Sequence, residues 1–73
     1  MIDQIKKAVH EAAEKKQKMA MFHFQVLKNA KNLSGIDPID FCKEIKVPET
    51  YKIEFLKMLG LARLMKQEGV KIR

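Results

Sequence analysis

Every glycine and proline of this chain lies beyond residue 34: Gly35, Pro38, Pro48, Gly60 and Gly69. The first 33 residues therefore carry neither helix breaker, and Ala, Lys, Glu, Gln and Met, all strong helix formers, are plentiful there. Ile2, Ile5, Val9, Ala12, Met19, Val26, Ala30 and Leu33 recur at alternating three- and four-residue steps, interrupted only at Lys16 and His23. Such a repeat can form a coiled-coil seam. Ala13, Ala20 and Leu27 fall where charged pairs would steer a partner helix, so they widen the stripe into a globular face. The stretch "MAMFHFQVL", residues 19–27, is apolar nearly all round and is the expected centre of the core. The pattern predicts a long N-terminal helix over about residues 2–32, a rod of about 45–48 Å if unbroken. Most helices are far shorter, so a bend or break near Lys16 to Lys18 is the alternative.

The breakers then punctuate the second half. In "NLSGID", Gly35 is the natural left-handed stop. Asp37 is placed as an N-cap, Pro38 suits the first helical position, and Asp40 sits where a capping-box acid would, which predicts a short helix over about residues 38–45. Pro48 opens a third helix, about residues 49–68, which Gly69 ends. The tail "VKIR" is ordered only if something covers Val70 and Ile72. No repeat or linker divides the chain, and the reading is one all-α domain over residues 1–73.

Apolar residues at 47% and charged residues at 33% suit a globular helical protein and exclude disorder. A chain this short buries only about 60% of its unfolded surface, so a partner chain is a natural source of further stability. Lys and Arg number 15 against 9 Asp and Glu, a net charge of +6, which favours an anionic partner. The single cysteine, Cys42, rules out an internal disulfide and suits a reducing compartment. The start, "MIDQIKKAV", does not resemble a signal peptide, and no apolar run approaches the roughly 20 residues of a membrane span. The expectation is a cytoplasmic protein with no membrane partner.

The third helix is apolar on two sides. At about 100° per residue, Tyr51, Phe55, Met58, Leu59, Ala62 and Met65 share one face. Ile53, Leu56, Leu61 and Leu64 lie nearly opposite, around Gly60. A helix with two apolar faces needs cover on both. Self-association through Ile53, Leu56, Gly60, Leu61 and Leu64 supplies it, and close helix approach explains a mid-helix glycine that costs about 1 kcal/mol relative to Ala. Between the faces, Lys52, Arg63 and Lys66 form a purely basic edge, while Glu54, Lys57 and Glu68 mix on the other.

The corner between the second and third helices carries the functional signal. Phe41, Cys42, Ile45 and Val47 supply an apolar residue, a small one, a second apolar residue three positions on, and one just past the turn. The stretch "FCKEIKVPETYKIEFLK", residues 41–57, resembles the helix-turn-helix of small transposase and repressor proteins. It departs from that pattern twice. Lys46 stands at the turn position that is usually Gly, where it would have to accept a left-handed conformation. The apolar residue of the recognition helix arrives one place late, at Ile53 rather than Lys52. The resemblance implies a dimeric regulator or mobile-element accessory factor that places the start of the third helix in the DNA major groove. Glu49, Thr50 and Lys52 would then face base edges, with Lys43, Lys46 and the helix-start amides on phosphates. Arg63 and Lys66 reach the same duplex only if the helix lies along the groove. A different class of function remains open: a helical interaction module, inhibitor or adaptor, using its second apolar stripe and basic edge on an acidic protein.

Other residues that look chemical have structural explanations. Capping accounts for Asp37 and Asp40. His10 and His23 are too far apart on a helix to share a metal, and His23 between two Phe suits a core edge. Cys42 reads as a packed thiol, and the five Met as core filler. The run "EKKQK", residues 14–18, is a solvated face that can add phosphate contacts. No phosphate loop, nucleophile elbow or nucleotide fingerprint is present, so no enzyme, cofactor, metal or small-molecule substrate is expected.

Overall fold

The computed structural model describes residues 1–70 as five helices: α1 Ile2–Ala13, α2 Lys18–Lys28, α3 Ala30–Leu33, α4 Pro38–Glu44 and α5 Tyr51–Gln67. Ile72, for which the tail needs cover, lies outside these residues.

The N-terminal helix takes the broken alternative. Lys16 adopts φ 58°, the Gln17 amide donates to the Ala12 carbonyl at 2.9 Å, and the Lys16 amide donates to the Ala13 carbonyl at 3.1 Å. This paired six-to-one and five-to-two closure is a Schellman stop. The physical gain is burial: an unbroken rod of about 48 Å would present one stripe to little else. The break folds α1 back on α2 within a molecule whose longest extent is 33 Å. It also resets the register. A continuous heptad would align Met19 with Ala12 and Val26, but after the break Phe22 and Val26 are fully buried while Met19 and Phe24 are exposed. A second interruption falls at Asn29, whose side-chain amide donates to the Gln25 carbonyl at 2.8 Å and kinks the chain into α3.

Gly35 does not act as the left-handed stop, since Gly69 is the glycine with positive φ, at 75°. After Leu33 the chain turns by an Ile36 amide bond to the Leu33 carbonyl instead. Gly69 does close α5, with Val70 donating to Met65 and Gly69 to Lys66. Asp37 caps α4 by accepting from the Asp40 amide at 3.1 Å, with Pro38 at the first helical position.

The core is an aromatic cluster that joins three helices. Phe22, Phe41 and Phe55 are fully buried. Phe41 lies 6.1 Å from Phe22 and 4.8 Å from Phe55, and Tyr51 meets Phe22 edge-on at 5.0 Å. Ile5 and Val9 from α1, Leu33 from α3, and Cys42 and Ile45 beside Phe41 complete it. Among the described residues no polar or charged side chain is buried. The α5 face of Tyr51, Phe55, Met58, Leu59, Ala62 and Met65 turns inward as its periodicity requires.

Candidate nucleic-acid interface

The corner is built from α4, the turn over residues 45–50 and the start of α5. Phe41, Cys42 and Ile45 are fully buried and Val47 nearly so, which pins α4 and α5 against each other at the motif's apolar positions. Lys46 has φ 57°, the left-handed conformation that the turn demands. Its amide donates to the Lys43 carbonyl at 3.2 Å and the Val47 amide to the Cys42 carbonyl at 3.0 Å, a second Schellman stop with lysine in glycine's usual place. From α1, His10 Nε2–H donates to the Ile45 carbonyl at 2.7 Å. That bond satisfies a carbonyl at the end of α4 and ties α1 to the turn.

Lys43, Lys46, Glu49, Thr50 and Lys52 are all exposed around this corner. Lys43 and Lys46 share a shallow polar recess with Lys6 of α1, and with Asp40 and Glu44. Lys6 thus joins the corner's cations by tertiary packing alone, and the two carboxylates temper their charge. Lys18, the last residue of "EKKQK", stands with its ammonium 5.6 Å from the centre of the Tyr51 ring, placing another cation beside the start of α5. Nothing in its spacing signals the place of Lys6, whereas Lys18 belongs to a run read as able to add phosphate contacts.

The amides at the start of α5 divide into two sets. Tyr51, Lys52 and Ile53 donate to the carbonyls of Pro48, Glu49 and Thr50, so a tight turn leads into α5 and already satisfies them. The Glu49 and Thr50 amides just before α5 donate to no acceptor among the described residues and stay open to a phosphate. Cys42 lies beneath as a packed thiol: burial pushes its pKa up, the Glu49 carboxylate adds to this, and Lys52 opposes it.

Arg63 and Lys66 sit about 16 Å or more along α5 from Lys52. The structure groups them with Lys28 and Lys31 rather than with the corner. On the remaining side of α5, Ile53, Leu56, Leu61 and Leu64 are 53%, 54%, 40% and 52% exposed, and a Cβ added to Gly60 would meet nothing within 4 Å. Among the described residues nothing covers the second apolar stripe. His23, at the core edge, donates from Nε2 to Glu54 at 2.8 Å, linking α2 to α5, and Lys57 approaches the other Glu54 oxygen at 3.4 Å. The His23 bond, then Lys57, holds the Glu54 carboxyl below its ordinary range. No His, Cys, Asp or Glu cluster suited to a metal occurs among the described residues, and none of their helices is long and apolar enough to cross a membrane.

A family model described as an HTH-like domain matches residues 1–68, a span that takes in all five helices. No curated protein and no solved structure matches the chain.

Proposed function

We propose that this chain, which belongs to the HTH-like domain family, is a cytoplasmic DNA-binding protein that holds double-stranded DNA as a homodimer. Its role is that of a regulator or mobile-element accessory factor, with binding and no catalysis. The observation that carries this reading is the corner itself. Four buried apolar side chains and a left-handed Lys46 fix α5 beneath an exposed set of polar residues. In this reading Glu49, Thr50 and Lys52 meet base edges in the major groove, and Lys43 and Lys46 meet flanking phosphates. Lys18 and Lys6 add charge close to the same surface. The outer stripe of α5, Ile53, Leu56, Gly60, Leu61 and Leu64, forms the contact between protomers, which removes an otherwise solvent-facing apolar row.

The test is fluorescence anisotropy of a labelled mixed-sequence duplex at two salt concentrations. Two phosphate-binding lysines per protomer make four per dimer, so affinity should fall roughly 100-fold between about 50 and 200 mM salt. Lys52→Glu should abolish binding while leaving the thermal melt unchanged, because Lys52 is exposed. Absence of saturable binding at the lower salt, with a folded protein, overturns the proposal.

A further inference from the structure

A groove runs between the α2–α3 segment and the C-terminal half of α5, away from the corner. Its volume is about 810 Å³ beside Ser34 and Leu59, and about 500 Å³ where it continues toward Gly69 and Val70. The floor is apolar: Leu27, Leu59, Ala62 and Met65. The rim is cationic on both banks, with Lys28 and Lys31 on one and Arg63 and Lys66 on the other. None of the residues lining it is acidic. Lys28 already leans on the exposed Phe24 ring, 5.9 Å from its centre, leaving its ammonium at the rim without a carboxylate partner among the described residues.

We propose that this groove is a docking site for an acidic amphipathic helix of a partner protein. Charge complementarity selects the occupant. Four cations over an apolar floor match a helix with apolar residues at three- and four-residue steps and carboxylates on both flanks. The groove follows α5 from Leu59 to its end at Gln67, about 12 Å, just over two helical turns. A second copy of this chain is the wrong partner. Its long helices are neutral or basic: α1 carries Asp3 and Glu11 against Lys6 and Lys7, and α5 carries Glu54 against Lys52, Lys57, Arg63 and Lys66. Packing either there would set cation against cation. Nucleic acid fits less well, because phosphates meet the rim while nothing in a duplex backbone covers the leucine and methionine floor. The site is independent of the DNA-binding corner, and it gives the protein a surface through which an acidic protein can act on it while the corner stays free.

The probe is a fluorescein-labelled synthetic helix of about 14 residues, roughly four turns, with leucines on one face and glutamates flanking them. One control peptide replaces Glu by Lys, and a second replaces Leu by Ser. Titrated against the full chain, the acidic peptide should bind saturably with a Kd of about 10–50 μM, and both controls about tenfold more weakly or worse. Amide shifts in the isotope-labelled protein should be confined to residues 27–34 and 59–70. The double variant Lys28→Glu with Lys31→Glu, both exposed positions, should weaken the peptide at least about tenfold with an unchanged melt. Lys52→Glu should leave peptide binding intact, so loss of DNA binding and loss of this site are separately visible. No saturable binding, equal binding of the serine control, shifts centred on Ile53 and Leu56 in place of the groove, or a DNA duplex shifting the groove amides would each overturn the proposal.

Discussion

Lys16 and Lys46 occupy left-handed backbone positions, at φ 58° and 57°, that Gly69 fills at the end of α5. A non-glycine residue there costs about 1–2 kcal/mol, partly offset by the entropy that glycine loses on folding. Lys46→Gly should therefore stabilise the fold by about 0.5–1 kcal/mol, a rise of about 3–6 °C in Tm. In the proposed DNA complex the same change would remove two phosphate contacts per dimer, so the salt slope of DNA binding should become shallower by about 2. A melting scan and a salt titration on one variant read both effects, and opposite signs separate backbone strain from charge. Glu54 supplies a pH dependence. Its pKa is lowered by the His23 bond in the folded state, so its stabilisation is fully present above the ordinary carboxylate range. It is lost as pH falls through the depressed folded value. Tm of the wild-type chain should thus drop on acidification toward about pH 3 more steeply than that of Glu54→Gln, and the two should converge at the acid end.

The element with most at stake is α5, which serves the core with one face and leaves Ile53, Leu56, Leu61 and Leu64 exposed on the other. Leu64 is 52% exposed, so Leu64→Asp should shift stability by about 0.5 kcal/mol or less, yet it should convert the proposed dimer to a monomer in sedimentation equilibrium. Gly60→Ala discriminates more finely. The added Cβ meets nothing within 4 Å among the described residues, so helix propensity should raise monomer stability by about 1 kcal/mol. If protomers cross closely at Gly60, the same methyl group should weaken the dimer about tenfold or more. A variant that gains stability and keeps its dimer constant would place the crossing elsewhere.

At the scale of the molecule, a small aromatic cluster carries α2, α4 and α5 together, so the fold and the corner stand or fall as one. Phe41→Ala should cost about 3–5 kcal/mol, most of the stability of a chain this size, and should abolish the helical circular-dichroism signal near 37 °C. Much of this architecture is legible in the residues. Asp37–Pro38 set the start of α4, Gly69 set the end of α5, and the two faces of α5 follow from its spacing, because caps, stops and amphipathic periodicity are local properties. The motif positions Phe41, Cys42, Ile45 and Val47 likewise declare a corner, and Lys46 takes the conformation that the corner requires of it. The break after Ala13 lies beyond that reach. Lys16 is a poor residue for a left-handed stop, and only the burial gained by folding α1 onto α2 selects it and turns Phe22 inward in place of Met19. Gly35, which has the right chemistry for such a stop, is not used for one. The candidate surfaces divide the same way. Local sequence names Lys43, Lys46, Glu49, Thr50 and Lys52, whereas the places of Lys6 and Lys18 at that corner, and the pairing of Arg63 and Lys66 with Lys28 and Lys31, depend on which helices meet. Sequence alone determined where helices start, stop and carry grease, since these act over a turn or two of chain. Tertiary structure decided which cations share a surface, because that requires bringing together residues tens of positions apart.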